Sequence, residues 1–387
     1  MQPLDALVQQ AASLAAGAQA HRDDAVADAA RMLQICNACR YCDGYCAMFP
    51  AMTRRLEFSR ADVHYLANLC HSCGACLHAC QYAPPHEFGV NVPRAMARVR
   101  AQTWAEHAWP APLGALYRRN GLVVALALAA ALALFLVLAV LSQGSGLRAG
   151  TAGDFYRVLP HGLMVALFGP LFVFVVTALA IGVRRFFKGL HGGAIPTEPA
   201  HEAAHDVLTL KYLDGGHGEG CNEVDDAFTL TRRRAHHLVF YGFVLCFAAT
   251  CVATVYHYAF GLVAPYGWTT LPKLLGTSGG LALAVGSAWL WVLHARRHPL
   301  HNEPSLAGMD RGFIALLFLT AAGGLVLALA RTTAAMPLLL ALHLASVMAL
   351  FATLPYGKFA HGVYRAAALL KWAIERRQPA RLDVGEG

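Results

Sequence analysis

Charge is scarce in this chain. Only 14% of its 387 residues are Asp, Glu, Lys or Arg, while 57% are hydrophobic, a balance shifted from soluble domains towards integral membrane proteins. Residues 1–35 lack the parts of a secretory leader: they have no positively charged n-region and no uninterrupted apolar core, and Asp5, Asp23, Asp24 and Asp28 interrupt them. The region that follows is therefore expected to stay in the cytoplasm, where clustered cysteines favour metal over disulfides. A formal charge of +8 raises nucleic acid as a partner. The Lys and Arg residues, however, sit mainly at the ends of apolar runs, as membrane topology requires. The reading is no nucleic acid.

The chain divides into an Ala-rich helical extension (1–30), a soluble cysteine-bearing domain (31–115), a membrane domain (116–370) and a tail (371–387). Six apolar runs have about the 20 residues that a helix needs to cross the hydrocarbon core. They lie near 121–141, 160–183, 237–260, 276–294, 312–331 and 337–356. Arg118, Arg119, Arg184, Arg185, Lys188, Arg232, Arg233, Arg234, Arg296, Arg297, Arg311, Lys358, Arg365 and Lys371 fall on one side of these runs. Arg148, Arg157, Lys273 and Arg331 fall on the other. The positive-inside rule then puts both termini, the cysteine domain and the loop near 184–235 in the cytoplasm of a bacterium, with the spans in its inner membrane. Arg232, Arg233 and Arg234 also offer a docking site to an acidic partner face, although topology alone accounts for them.

Two cysteine runs share one spacing: Cys36-x2-Cys39-x2-Cys42-x3-Cys46 and Cys70-x2-Cys73-x2-Cys76-x3-Cys80. Thiolates so spaced wrap a 4Fe-4S cubane, and the fourth cysteine of each run ligates the other cluster. The expected sets are Cys36, Cys39, Cys42 and Cys80 for one cluster, and Cys70, Cys73, Cys76 and Cys46 for the second. Zinc prefers two pairs of cysteines per site and suits two matched runs of four less well. The Cys-Pro that closes the bacterial ferredoxin run is missing, since the prolines come later at Pro50, Pro84 and Pro85. Between the runs no alternating strand pattern appears. Ser59 and Asp62 form a capping-box pattern, and Val63, Leu66 and Leu69 recur at helical spacing. The fold class expected is all-α, a helical dicluster domain followed by a six-helix transmembrane bundle.

Histidines near the spans are candidates for haem, since coordinating groups in membranes face the bundle interior. On the third span His236 and His257 are separated by 21 residues, roughly 60° apart around an ideal helix. His343 and His361 are separated by 18, five whole turns of a helix that Pro355 can kink. His236 with His361 on the cytoplasmic side, and His257 with His343 on the outer side, would hold one or two b haems. His237, His161 and His294 are the alternates. Cys246 and Cys251 read as core packing.

These segments resemble a known family. The two cysteine runs, "LKYLDGGHGEGCNE", "TRRRAHHLVFYGFVLCFAATCVATVYHY" and "LPYGKFAHGVYR" are similar to the tricarballylate or citrate utilisation protein B family (TcuB/CitB) across residues 30–370. The last segment also resembles the final helix of nitrate reductase gamma-type cytochromes b, whose haem histidines share the spacing of His343 and His361. The cysteine domain is similar to the helical dicluster ferredoxins of succinate dehydrogenase and heterodisulfide reductase complexes. The resemblance implies an electron-transfer component rather than a self-contained enzyme. It would reoxidise a partner FAD-dependent dehydrogenase of tricarballylate or a related tricarboxylate and feed the quinone pool. Rival readings are a redox-linked tricarboxylate transporter or pump, the cluster and cytochrome subunit of another respiratory complex, and a redox sensor. Transport is disfavoured because no carboxylate pair lies within the spans; Asp154 and Glu303 read as loop residues.

Overall fold

The structure, a computed structural model, describes residues 25–143, 153–190 and 193–379. Most of the predicted N-terminal extension (1–24), Arg148 and the end of the tail (380–387) lie outside the described residues. The described chain is helical apart from one short hairpin, β1 (Cys221–Asn222) antiparallel to β2 (Phe228–Thr229).

The cysteine domain contains α1 (Ala25–Cys39), α2 (Met48–Met52), α3 (Arg60–Leu69), α4 (Ala75–His78) and α5 (Val92–His107). At the start of α3, Ser59 Oγ accepts from Asp62 N at 3.2 Å and Asp62 Oδ2 accepts from Ser59 N at 3.1 Å. Two otherwise orphaned donors are thus satisfied, as the capping box predicts. Val63, Leu66 and Leu69 are fully buried in a core with Leu33, Met52, Met96 and Trp104. The core fixes both cysteine runs, which leave the ends of α1 and α3 directly.

A 3-10 segment (Ala111–Arg119) leads into α6 (Asn120–Gln143). There follow α7 (Phe155–Val158), α8 (His161–Gly189), α9 (Thr197–Leu208), α10 (Thr231–Phe260), α11 (Leu271–Arg296), α12 (Ala307–Ala330) and α13 (Met336–Thr353). Helices α6, α8, α10, α11, α12 and α13 are long and apolar enough to cross a membrane. Their flanks leave large apolar side chains uncovered, such as Leu126, Val173 and Leu329, which lipid tails suit and water does not. α10 and α11 pack closest: a Cβ on Gly242 would stand 2.6 Å from Leu283 N, and one on Gly279 would stand 2.8 Å from Cys246 N. Small residues at a crossing let membrane helices approach.

The prediction that His343 and His361 share one helix is wrong. After α13 the chain passes through a 3-10 turn (Leu354–Tyr356) and an extended Gly357 before α14 (Ala360–Glu375) begins. Pro355 has no N–H to continue the ladder. Tyr117 Oη donates to Pro355 O at 2.6 Å and Asn120 Nδ2 donates to Tyr356 O at 2.8 Å, so the freed carbonyls are satisfied from the linker before α6. α14 then leaves the bundle and buries Tyr364, Leu369 and Trp372 in the cysteine-domain core. The ends of α8 and α11, the start of α10 and the loop before α12 also meet this domain. The contacts are Arg185 to Ala108 O, Arg297 and Arg232 to Ser72 O, and Glu303 to Arg94 and Arg98.

Candidate redox site

Cys36, Cys39, Cys42 and Cys80 line one cavity of about 290 Å³, with Phe49, Tyr41, Tyr82 and Val92 in its wall. Cys76 reaches the same wall from the other side. Cys46, Cys70 and Cys73 are buried deeper, and Cys76 is in electrostatic reach of all three. The fourth cysteine of the second run therefore joins the first three of the first run, and Cys46 lies with the second.

The two runs turn alike. The residue after the second cysteine is left-handed in both, Arg40 at φ 56° and Gly74 at φ 85°. Each fourth cysteine takes backbone N–H groups on its sulfur: Met48 and Phe49 donate to Cys46, and Tyr82 and Ala83 donate to Cys80.

The thiols oppose one another's ionisation. Burial, with the neighbouring sulfurs, pushes Cys36 and Cys42 up to about 12 and raises Cys46, Cys76 and Cys80. Such a set becomes thiolate only around bound cations. Among the described residues no three ligating side chains converge on a single ion position. The sulfurs instead ring a volume, which fits a multi-iron cluster better than one zinc ion.

The loop between α9 and α10 covers the deeper group. Its Gly216, at φ 87°, lies where a Cβ would overlap Tyr45 O. Asn222 N donates to Cys73 O at 3.1 Å. The buried Cys221 thiol, which donates to Leu213 O at 3.4 Å, lies beside the Cys73 sulfur and helps hold Cys73 below the ordinary thiol range. Sequence reasoning missed Cys221, because a lone cysteine far from either run carries no spacing signal.

It also read Arg232, Arg297 and Arg365 as topology signals and did not single out Arg100. Arg100 Nη1 donates to Cys70 O at 2.9 Å and its Nη2 to Ser72 Oγ at 2.5 Å. Arg365 Nη2 donates to Cys70 O at 2.8 Å, Arg232 Nη1 donates to Ser72 O at 2.6 Å, and Arg297 donates to the same oxygen. Burial and Arg232 push Arg297 down to about 10, and burial and Arg100 push Arg365 down to about 9; both stay charged at neutral pH. Arg232 is thus turned inward, and Arg233 is held by Thr209 O and Asp214. The loop so held folds back on the cysteine turn, while Arg234 stays exposed.

The rings of His236 and His361 face each other with centroids 6.0 Å apart and planes 32° from parallel. Two metal–imidazole bonds of about 2 Å each plus the two ring radii span roughly that distance, so the pair could hold one metal ion between them. His361 Nδ1 donates to Lys358 O at 2.5 Å, which leaves Nε2 as the ring nitrogen with a free lone pair. Burial and Arg365 hold His361 well below the usual histidine range, so it stays neutral. His237 points elsewhere, donating from Nε2 to Thr209 O at 3.1 Å.

The outer pair is different. His257 stacks on His161 with centroids 3.9 Å apart and planes 23° from parallel, too close for a metal between them. Among the described residues no ring contact links His257 to His343, which instead packs on Gly323 and Gly324 of α12. The physical reason is that the first turn of α8 reaches His257 before α13 does. Among the described residues the buried His343 Nδ1 finds no hydrogen-bond partner. His294 lies at the end of α11, near Asp310 and Lys358. Asp154 and Glu303 are loop residues as expected, each capping a short helix.

Residues 29–106 match the family model of the citrate utilization protein B Fer4-like domain, and residues 115–381 match that of citrate utilization protein B. The chain is 58% identical over 359 residues to citrate utilization protein B of Escherichia coli, covering 92% of this chain and 94% of that relative. No solved structure matches it. With a Fer4-like domain of paired cysteine runs set against six membrane-length helices, this chain belongs to the citrate utilization protein B family.

Proposed function

We propose that this protein is a membrane electron carrier that reoxidises a flavin-dependent dehydrogenase of tricarballylate, citrate or a related tricarboxylate and delivers the electrons to quinone. The observation that carries the reading is the gathering of Cys36, Cys39 and Cys42 with Cys80 around one cavity. When bound, 4Fe-4S clusters and b haem supply reversible one-electron storage. Cys36, Cys39, Cys42 and Cys80 would hold the first cluster, and Cys46, Cys70, Cys73 and Cys76 the second. His236 and His361 would hold the inner haem. An outer haem on His257 and His343 requires His257 to leave its stack on His161.

Exposure sets the direction of the relay. The first group is half-exposed and its wall carries Tyr41, which is 71% exposed, so a soluble flavoprotein can approach it. The second group is mostly buried and lies towards the membrane helices. The charge asymmetry of the loops supports an inner-membrane location with both termini and the cysteine domain in the cytoplasm. Anaerobic determination of iron, sulfide and haem per chain tests the reading, followed by reoxidation of the dithionite-reduced b band with a quinone analogue. About eight non-haem irons with at least one quinone-oxidisable haem is the expected result. Zinc in place of iron would overturn it.

A further inference from the structure

Two helices present the same pair of residues in opposite order. On α10, Arg232 precedes His236 by one turn; on α14, Arg365 follows His361 by one turn. In both helices the histidine faces its counterpart across 6.0 Å, while the arginine reaches the Cys70–Ser72 turn. Arg100 from α5 and Arg297 from the end of α11 bond to that turn as well.

Four guanidinium groups from four separate elements therefore converge on three residues of backbone. The acid facing them is Glu223, at 3.7 Å from Arg232 Nε and 3.6 Å from Arg297 Nε. Nearby Lys358 and Asp310 neutralise each other at 2.7 Å. Arg100 is buried and the other three are half-buried; charges withdrawn from water are normally paired, and carbonyl oxygens supply hydrogen bonds without supplying a counter-charge. The neighbouring sulfurs of Cys46, Cys70, Cys73 and Cys76 complete the balance if they hold an anionic centre. Among the described residues no comparable bracket stands at the cavity of Cys36, Cys39, Cys42 and Cys80, whose wall carries Tyr41, Gln81 and Tyr82.

We infer that Arg100, Arg232, Arg297 and Arg365 are positioning residues that raise the reduction potential of the centre held by Cys46, Cys70, Cys73 and Cys76 above that of the exposed one. This rests on reading both cysteine groups as iron–sulfur ligands. One electron from the reduced flavin of a partner adds one negative charge and makes or breaks no bond. Fixed positive charge favours the more negative state. The bracket thus draws the electron to the cysteine group beside His236 and His361, and α10 and α14 hold arginine and histidine in one rigid register.

Redox titration of the full-length protein in detergent, followed by electron paramagnetic resonance, tests this, with Cys80→Ser identifying the exposed centre's signal. Arg365→Gln and Arg232→Gln should shift the buried centre's midpoint to more negative potential and leave the exposed centre's unchanged. Glu223→Gln should shift the buried centre the opposite way, and Arg365→Lys should keep most of the parent value. Unchanged midpoints in the arginine and Glu223 variants, or equal shifts at both centres, overturn the inference. If an arginine variant loses iron, Glu223→Gln decides: a positive shift supports the bracket, and none refutes it. Absence of iron and sulfide from the parent protein would instead overturn the underlying cluster reading.

Discussion

His236 and His361 face each other at 6.0 Å across two different helices, although they are 125 residues apart in the chain. α10 brings one from the bundle and α14 brings the other after the break at Leu354–Tyr356. Either His236→Ala or His361→Ala should abolish the inner haem's contribution to the dithionite-reduced difference spectrum, with iron and sulfide retained. His237→Ala should leave that spectrum unchanged, since its ring is engaged with Thr209 O. A full b band in His361→Ala would sink the assignment.

The grouping of cysteines across the two runs can be read from metal content. Cys80→Ser should cost the same cluster as Cys36→Ser, and Cys46→Ser the same cluster as Cys70→Ser, each losing roughly half of the non-haem iron. The check is the resonance signal that disappears in each variant. Loss of one signal in both Cys80→Ser and Cys70→Ser would mean that each run closes on itself.

Gly74 lies between Cys73 and Cys76 at φ 85°, and a Cβ there would stand 2.4 Å from His301 Cε1 and 2.7 Å from Asn222 O. Gly74→Ala therefore combines backbone strain with a clash and should cost roughly 1–3 kcal/mol for the strain alone. Faster loss of iron on exposure to a chelator would report it. Adding His301→Ala removes the side-chain clash but not the strain or the carbonyl contact. The double variant should recover only part of the loss.

Burial works to raise the Glu303 carboxyl, but hydrogen bonds from Ser305, Arg94 and Arg98 outweigh it and bring it down to about 2 from its ordinary value of 4.5. A depressed carboxylate contributes stability fully above its unfolded value, and that contribution is lost as pH falls through the folded one. Docking of the loop before α12 onto α5 should thus weaken between about pH 4.5 and 2. Glu303→Gln should flatten the pH dependence of thermal unfolding in that window and lower the unfolding temperature at neutral pH, where the carboxylate's contribution is fully present. An unaltered acid limb would exclude the pair as its source.

The six spans, the helical character of the cysteine domain, the Ser59–Asp62 cap and the two matched cysteine runs were all legible in the chain, because each is a local pattern. Twenty apolar residues must become a helix in hydrocarbon wherever the rest of the protein lies, and three thiols within seven residues share one turn wherever it docks. The break after α13 was half-legible. Pro355 warned of a kink, yet only the carbonyl partners Tyr117 and Asn120, more than 230 residues away, make a full break stable.

Tertiary structure alone decided which way the charges face. Arg232, Arg297 and Arg365 satisfy the positive-inside pattern equally well whether they meet lipid headgroups or a buried turn, since that rule counts charge near helix ends and is indifferent to its partner. The same holds for the histidines: span topology placed His257 and His343 at one level, but the stack on His161 and the contact with α12 follow from how the helices pack. The sequence by itself determined what the parts are, through hydropathy and short-range spacing. Which thiols, arginines and imidazoles stand together was determined by packing between segments separated by tens to hundreds of residues, for which no local period exists.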